Sequence, residues 1–142
     1  MRPLIHPEIA DVPVEAILHA LSDPVRVAIY ADILAQECSQ NCSTFLTVSD
    51  KAIPKSTLSQ HFRALREAGL IRGERRGVEM HNISRVAEVE ERFPGLIRAI
   101  MGAHGIQMQD EARRRVGKGF VGRKGVTGSR SGVRIRKGIT PR

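Results

Sequence analysis

The chain has 142 residues, of which 41% are hydrophobic and only 4% aromatic, so it is long enough for one domain with a modest core. No apolar stretch is long enough to span a bilayer, no N-terminal segment has the pattern of a signal peptide, and the two Cys suggest reduced thiols. We therefore expect a cytoplasmic protein without a membrane partner. The formal net charge of +8 lies in residues 111–142, which hold eleven Lys and Arg against one acidic residue, whereas residues 1–110 hold twelve against fourteen. The charge therefore says little about the partners of residues 1–110.

The first segments predict an arm followed by two helices. Residues 1–11 carry two prolines and little periodicity, so we expect an N-terminal arm without regular structure. Residues 13–21 place their apolar side chains on one helical face. Asp23, followed by a proline, is a typical N-cap for a second helix that reaches about Glu37 and is apolar on nearly all sides, as a central core helix is. Arg26 interrupts that apolar surface, and we expect it to make an ion pair or a cap contact.

A polar loop and a short helix are predicted next. Residues 38–46 are polar apart from two apolar anchors, and they predict the loop. Residues 47–52 are interpreted as the first, positioning helix of a helix-turn-helix, although their hydrophobic periodicity is poor.

The most informative stretch begins with the helix predicted after Pro54. Leu58, Phe62 and Leu65 share a narrow apolar stripe, and Gly69 ends the helix as a left-handed cap. The opposite side is polar near the helix N-terminus, where Ser, Thr and Gln side chains can bond to phosphates or to base edges in a major groove. The residues predicted to contact DNA from this side are Ser56, Thr57, Ser59, Gln60, His61 and Arg63.

A two-stranded hairpin over residues 70–83 is predicted to follow this helix without a linker. Arg75 and Arg76 give its turn positive charge that can lie along a DNA backbone, and Gly77 supplies the turn conformation. A solvated hairpin with an ordinary arginine surface is the alternative. Helix and hairpin in this order favour a winged helix-turn-helix, a mainly α fold with a small β-hairpin wing.

Two further helices and a tail complete the chain. Residues 85–93 predict a helix that a Pro-Gly pair interrupts, and residues 96–104 predict another helix with a broad apolar face. We expect residues 12–104 to form one domain whose first and last helices make a homodimer surface; the alternative is that the last helix packs on its own domain. Residues 111–142 hold seven glycines and little apolar surface. We expect a disordered basic tail there, which either strengthens DNA binding without sequence preference or has no specific role.

Two stretches resemble the ArsR family of bacterial winged-helix repressors. LSDPVRVAI at residues 21–29 is similar to the family's opening of its second helix, and STLSQHFRALREAGLI at residues 56–71 is similar to its recognition helix. The resemblance covers about residues 14–103 and implies a dimeric repressor whose affinity for double-stranded DNA is lowered by a ligand or a chemical event. Pro54 departs from the Ser or Thr that is usual there. Carried over by position, the contacts to DNA would come from Lys55, Ser56, Thr57, Ser59, Gln60 and His61, and from Arg75 and Arg76 in the wing.

Metal sensing by the family's common routes is disfavoured, since neither a Cys-x-Cys pattern nor paired histidines of the last helix occur in this sequence. Cys38 and Cys42 are four residues apart and could form a disulfide or contribute to a soft-metal site. The alternative is an inert Cys38, because it shares a wheel face with apolar residues of the second helix. We hypothesise that any switch is redox-linked, and we predict no metal site.

No Ser-His-Asp spacing, phosphate loop or metal cluster appears, so the sequence predicts neither an enzyme nor a cofactor. The predicted function is a sequence-specific, DNA-binding transcriptional regulator, a dimeric repressor that responds to an unknown signal. The alternative is a small RNA-associated winged-helix module in which the basic tail dominates binding.

Overall fold

The computed structural model describes residues 4, 6–35, 40–41, 47–48 and 51–121. These residues form a mainly helical fold with one β-hairpin after the third helix, which confirms the predicted fold class. The helices are α1 (Val14–Leu21), α2 (Pro24–Ala35), α3 (Lys55–Glu67), α4 (Val86–Arg92) and α5 (Leu96–Val121), and a 3-10 turn covers Ile9–Asp11. The strands are β1 (Gln40–Asn41), β2 (Thr47–Val48), β3 (Lys51–Ala52), β4 (Ile71–Arg76) and β5 (Glu79–Ser84).

Asp23 and Arg26 fix the corner between α1 and α2, as the sequence predicts. Asp23 Oδ1 accepts hydrogen bonds from the backbone N–H groups of Val25 at 2.8 Å and Arg26 at 3.0 Å, so Asp23 is the N-cap. Arg26 Nε donates to Ala20 O at 2.6 Å, and Arg26 Nη2 donates to His19 O at 3.0 Å. These carbonyls lie in the last turn of α1, where a cation is favourable. Arg26 therefore ties the end of one helix to the start of the next.

Helix α2 lies in the core, and α3 packs against it. Ile29 and Tyr30 of α2 are fully buried, at 0% exposure. Leu58, Phe62 and Leu65 of α3 are 3%, 1% and 0% exposed, which confirms the predicted apolar stripe. Because this stripe is buried, the opposite, polar side of α3 faces outward.

The C-terminal end of α3 is a Schellman motif centred on Gly69. The backbone of Gly69 has a φ of +70°, and its N–H donates to Arg66 O at 2.9 Å. The N–H of Leu70 donates to Leu65 O at 3.0 Å, and both leucines are fully buried. On its other side, Leu70 O accepts a hydrogen bond from Arg85 N–H at 2.9 Å. Backbone hydrogen bonds on both sides of Leu70 therefore fix the junction at which α3 passes into β4.

The antiparallel hairpin of β4 and β5, called the wing below, has its last strand pair at Arg76↔Glu79. The turn begins at Gly77, whose φ of +64° confirms the predicted turn glycine. Arg75 and Arg76 were expected in the turn but lie in β4, because the strand pairing extends to Arg76. The sheet has the order β1-β5-β4, so β4 is an edge strand among the described residues.

The prediction of a positioning helix over residues 47–52 is wrong. Of the residues described there, β2 and β3 pair antiparallel, with Thr47 opposite Ala52 and Val48 opposite Lys51. The β-branched side chains of Thr47 and Val48 favour extended backbone, and a residue that precedes a proline, here Pro54, is disfavoured in a helix. In the described part of the chain, the helix that precedes α3 is α2.

Both ends of the chain differ from the expected arm and tail. Residues 6–11 of the arm are structured: the chain forms the 3-10 turn there, and Arg85 Nη1 donates to Pro7 O at 2.8 Å. At the other end, α5 continues to Val121, so residues 111–121 of the expected disordered tail are helical. Good helix formers begin this stretch, since its first five residues are Glu-Ala-Arg-Arg-Arg. The rest of the predicted tail lies outside the described residues.

The chain divides into two compact units, Met1–Ile106 and Gln107–Arg142. In the first unit Ile97 of α5 is 2% exposed, and neighbouring apolar residues of α5 pack on the core. Much of the apolar face that was predicted for dimerisation is therefore used within the chain's own domain. In the second unit the side chains of residues 107–118 are exposed, apart from the half-buried Glu111.

Candidate nucleic-acid interface

The outer side of α3 carries every side chain that the sequence predicts to contact DNA from this helix. They lie opposite the buried stripe, and all of them are polar or charged. The exposed members are Lys55, Ser56, Ser59, Gln60 and Arg63, and the half-buried members are Thr57 and His61. This set, called the α3 ridge below, is of a size and chemistry that fit a DNA major groove.

The N-terminal end of α3 adds a local positive potential to the ridge. Pro54 occupies the N-cap position and makes no side-chain cap bond. The first helical hydrogen bond runs from Leu58 N–H to Pro54 O at 2.9 Å, so the N–H groups of residues 55–57 come before it. Backbone N–H groups and the helix dipole at such an end favour an anion such as a phosphate.

Arg63 stands at the C-terminal end of the ridge and is paired with Glu67. Arg63 Nε lies 2.7 Å from Glu67 Oε1, and the two side chains are 73% and 49% exposed. The hydrogen bond that Arg63 donates to Glu67, together with the charge of Glu67, raises the pKa of Arg63. An ion pair this exposed contributes little to stability, so a phosphate can replace the carboxylate at small cost.

The wing carries Arg75 and Arg76 next to each other at the end of β4, and both are exposed. As consecutive residues of a strand, they point to opposite faces of the hairpin. Arg76 Nη2 lies 3.3 Å from Glu74 Oε2, again in a solvent-exposed pair. Val78 at the tip is fully exposed. The wing thus presents a cation on each face beside an apolar tip.

His61 connects the ridge to the corner between α1 and α2. Burial raises the pKa of Asp23, but hydrogen bonds from the backbone N–H groups of Arg26 and Val25 and the charges of Arg26 and His61 lower it overall. The His61 ring therefore lies near the carboxylate that caps α2. This location explains why His61 is only half exposed.

A cluster at the base of the wing was not predicted from the sequence. Arg85, only 6% exposed, donates from Nη2 to Glu88 Oε2 at 2.6 Å and from Nε to Glu88 Oε1 at 3.2 Å. Arg72 Nη2 lies 3.6 Å from Glu88 Oε1. The hydrogen bond from Arg85 is the main reason that the pKa of Glu88 is lowered, although burial opposes it. The spacing of Arg85 and Glu88, three residues apart, was the available signal.

Cys38 and Cys42, the predicted sensor thiols, lie outside the described residues. Within the described ranges, no group of three His, Cys, Asp or Glu side chains could hold a metal ion. In the same part of the chain, no helix is both long enough and apolar enough to cross a membrane.

A family model described as a helix-turn-helix domain matches residues 21–74, from the end of α1 into the wing. The structure of Rv0081 from M. tuberculosis is similar, with a TM-score of 0.51 and 20% identity, over 70% of this chain and 91% of that chain. The chain therefore has a winged helix-turn-helix fold. This agrees with the resemblance drawn from residues 21–29 and 56–71.

Two further solved structures are similar to this chain. One is an ArsR-like transcriptional regulator from Rhodococcus sp. RHA1, with 21% identity and a TM-score of 0.48, over 71% of this chain and 90% of that chain. The other is the transcriptional repressor BigR from Xylella fastidiosa, with 23% identity and a TM-score of 0.46, over 61% and 84%. No curated protein matches the sequence. A helix-turn-helix domain places a helix in the major groove of DNA, so the broad functional class is a DNA-binding protein.

Proposed function

We propose that this protein is a sequence-specific transcriptional repressor that binds operator DNA as a homodimer. The observation that carries the proposal is the arrangement of α3 and the wing. Most side chains of the α3 ridge are exposed, its N-terminal end has no side-chain cap, and the wing follows through the junction at Leu70. A polar helix face and a basic hairpin in fixed relation can engage a major groove and the neighbouring backbone together.

The two parts of this surface have different roles in the proposal. Gln60, exposed near the middle of the α3 ridge, is the side chain best suited to read a base, because an amide can bond to adenine in a bidentate way. Ser56, Thr57 and the N-terminal end of α3 suit phosphate. Arg75 and Arg76 supply charge that positions the wing without reading sequence.

The homodimer is supported by apolar side chains that remain exposed outside the α3 ridge. Leu18 on α1 is 48% exposed, and Ile106 on α5 is 64% exposed. Exposed apolar side chains on the first and last helices suit contact with a second copy of the chain. A symmetric pair of ridges would read two half-sites about 34 Å apart, which raises both affinity and specificity.

The repressor role and the signal that ends it rest on the family resemblance. A signal that lowers DNA affinity belongs to the same proposal, and the thiols of Cys38 and Cys42 are its candidate sensors through reversible oxidation. Oxidant should release DNA from the wild-type protein but not from the Cys38→Ser variant if this pair is the sensor.

Selection of bound duplexes from a random DNA pool, with the full-length protein, tests the proposed function. We expect enrichment of an inverted repeat whose half-sites are about one helical turn apart. Absence of enrichment, together with equal affinity for a structured RNA that collapses as salt rises, would instead support the RNA-binding module.

The Gln60→Ala variant should lose preference at one base pair of each half-site. The expected cost is about 1–3 kcal/mol for the preferred base and little for other bases, because one bidentate contact is removed. Competition between duplexes that differ at single positions measures this. Gln109→Ala, which changes an exposed glutamine of α5, is the matched control and should leave the preference intact. An unchanged preference in Gln60→Ala would show that another part of the surface reads the bases.

The Arg75→Ala and Arg76→Ala variants should weaken binding to all duplexes alike. Each lost phosphate contact should reduce the slope of log affinity against log salt by about 1. Fluorescence anisotropy with specific and unrelated duplexes over a salt series measures the slope. Arg98→Ala, which removes an exposed arginine of α5, is the control. A loss confined to the specific duplex would contradict a purely positioning role for the wing.

A further inference from the structure

Residues 4 and 6–11 of the N-terminal arm are fastened to the base of the wing and to α4. His6 Nε2 accepts a hydrogen bond from the backbone N–H of Gly73 in β4, with a distance of 3.0 Å. Arg85 Nη1 donates to Pro7 O at 2.8 Å, and the guanidinium of Arg92 donates to Ile9 O. Three hydrogen bonds, one of them from the wing, therefore hold one short segment.

The contact at Gly73 completes the edge of the sheet. Because β4 is an edge strand among the described residues, an N–H that points away from β5 needs a partner from outside the hairpin. Gly73 is buried, and His6 supplies that partner. A Cβ at Gly73 would lie 3.1 Å from Leu4 Cδ1 and 3.3 Å from Met80 Sδ, so a side chain here would force these neighbours to shift.

The hydrogen bond from Gly73 fixes the charge state of His6. A ring nitrogen accepts only when it carries no proton, so His6 is neutral while this contact exists. Protonation would place an N–H of His6 opposite the N–H of Gly73. It would also add positive charge beside three arginines, Arg66 of α3, Arg72 of β4 and Arg85. Glu88 forms ion pairs with Arg72 and Arg85. Burial first, and then these three arginines, lower the pKa of His6 below its ordinary value of 6.5.

We infer that His6 is a positioning residue for the wing, and that its protonation releases the arm and weakens the binding of DNA. The inference about DNA rests on the proposed function, whereas the contact between arm and wing does not. The sign follows from the two ionisation states. The pKa of His6 is lower in the folded protein than its ordinary value of 6.5, so the contact contributes its full stabilisation above pH 6.5. This contribution is lost as the pH falls through the pKa of His6 in the folded protein.

The arm contact can be tested in the free protein by NMR. The Gly73 amide signal of the wild type should titrate with the His6 ring, with a midpoint below pH 6.5. In His6→Gln the amide oxygen can still accept from Gly73 but does not titrate, so the signal should stay constant. Gly77 is the internal reference, because its surroundings are open and a Cβ added there would meet nothing within 4 Å. A Gly73 signal that ignores pH in the wild type, or titrates equally in His6→Gln, would overturn the inference.

The effect on DNA is measured as the ratio of wild-type to His6→Gln affinity at about pH 7.5 and at a pH below the midpoint of the Gly73 titration. The ratio cancels pH effects that the two proteins share. We expect it to fall about two- to tenfold at the lower pH, as the loss of one hydrogen bond implies. His19→Gln, an exposed histidine of α1, should keep the wild-type profile. A constant ratio would refute the link to DNA. If neither protein selects a DNA sequence, the proposed function fails while the NMR titration still decides the arm contact.

Discussion

The Phe62→Ala variant should lose about 3–5 kcal/mol of the free energy of unfolding. Phe62 is 1% exposed, and it lies on the inner side of α3 between Leu58 and Leu65. Removal of the ring takes away buried apolar area and leaves a cavity between α3 and the core, which rigid neighbours fill only in part. Since native domains are stable by only about 5–15 kcal/mol, a large share of the total would be lost.

Urea unfolding followed by far-UV circular dichroism measures this loss. Phe62→Leu is the matched control, because it keeps an apolar side chain and should cost clearly less. Both variants keep the α3 ridge, so their DNA affinity should follow the folded fraction alone. A loss of less than about 1 kcal/mol of the free energy of unfolding in Phe62→Ala would show that this side chain does not hold α3 against the core.

The Gly69→Ala variant should lose about 2–4 kcal/mol, from two causes that add. The φ of +70° places any L side chain in the left-handed region, at a cost of about 1–2 kcal/mol. The new Cβ would also lie 3.0 Å from Val12 Cγ2 and 3.2 Å from Ile9 Cδ1, so the arm would have to move.

Gly77→Ala separates the two causes. Gly77 has a φ of +64°, and a Cβ there meets nothing within 4 Å, so only the conformational cost of about 1–2 kcal/mol applies. The difference between the two variants in thermal or urea unfolding reports the contact with Val12 and Ile9. Equal losses of the free energy of unfolding in the two variants would mean that Val12 and Ile9 move aside without a measurable cost.

Local patterns in the sequence were sufficient to predict the elements of the candidate interface. The stripe of Leu58, Phe62 and Leu65 has the helical period, and the glycine at 69 ends the helix in the expected way. The cap at Asp23 is likewise a contact between near neighbours in sequence. Features of this kind depend on spacing over a few residues, which a sequence displays directly.

The features that the sequence did not predict depend on distant partners or on competing propensities. The contact of His6 with Gly73 joins residues that are far apart in the chain. The stretch of residues 47–52 is too short for its hydrophobic periodicity to distinguish a helix from a strand. Its β-branched residues favour the strands that are observed. In residues 111–121, helix formers outweigh the glycines that suggested disorder.

Backbone hydrogen bonds on both sides of Leu70 restrain the junction between α3 and the wing. In the proposed mode of binding, α3 and the wing would act as one rigid unit. The distance between the side of α3 that enters the major groove and the wing that contacts the DNA backbone would be fixed. A duplex whose groove does not match that distance cannot be accommodated by a movement of the protein at this point. The DNA would have to deform instead. The free energy of that deformation depends on the sequence of the base steps where the DNA bends or its groove widens. Operator choice would therefore extend to base pairs that no side chain of the protein contacts.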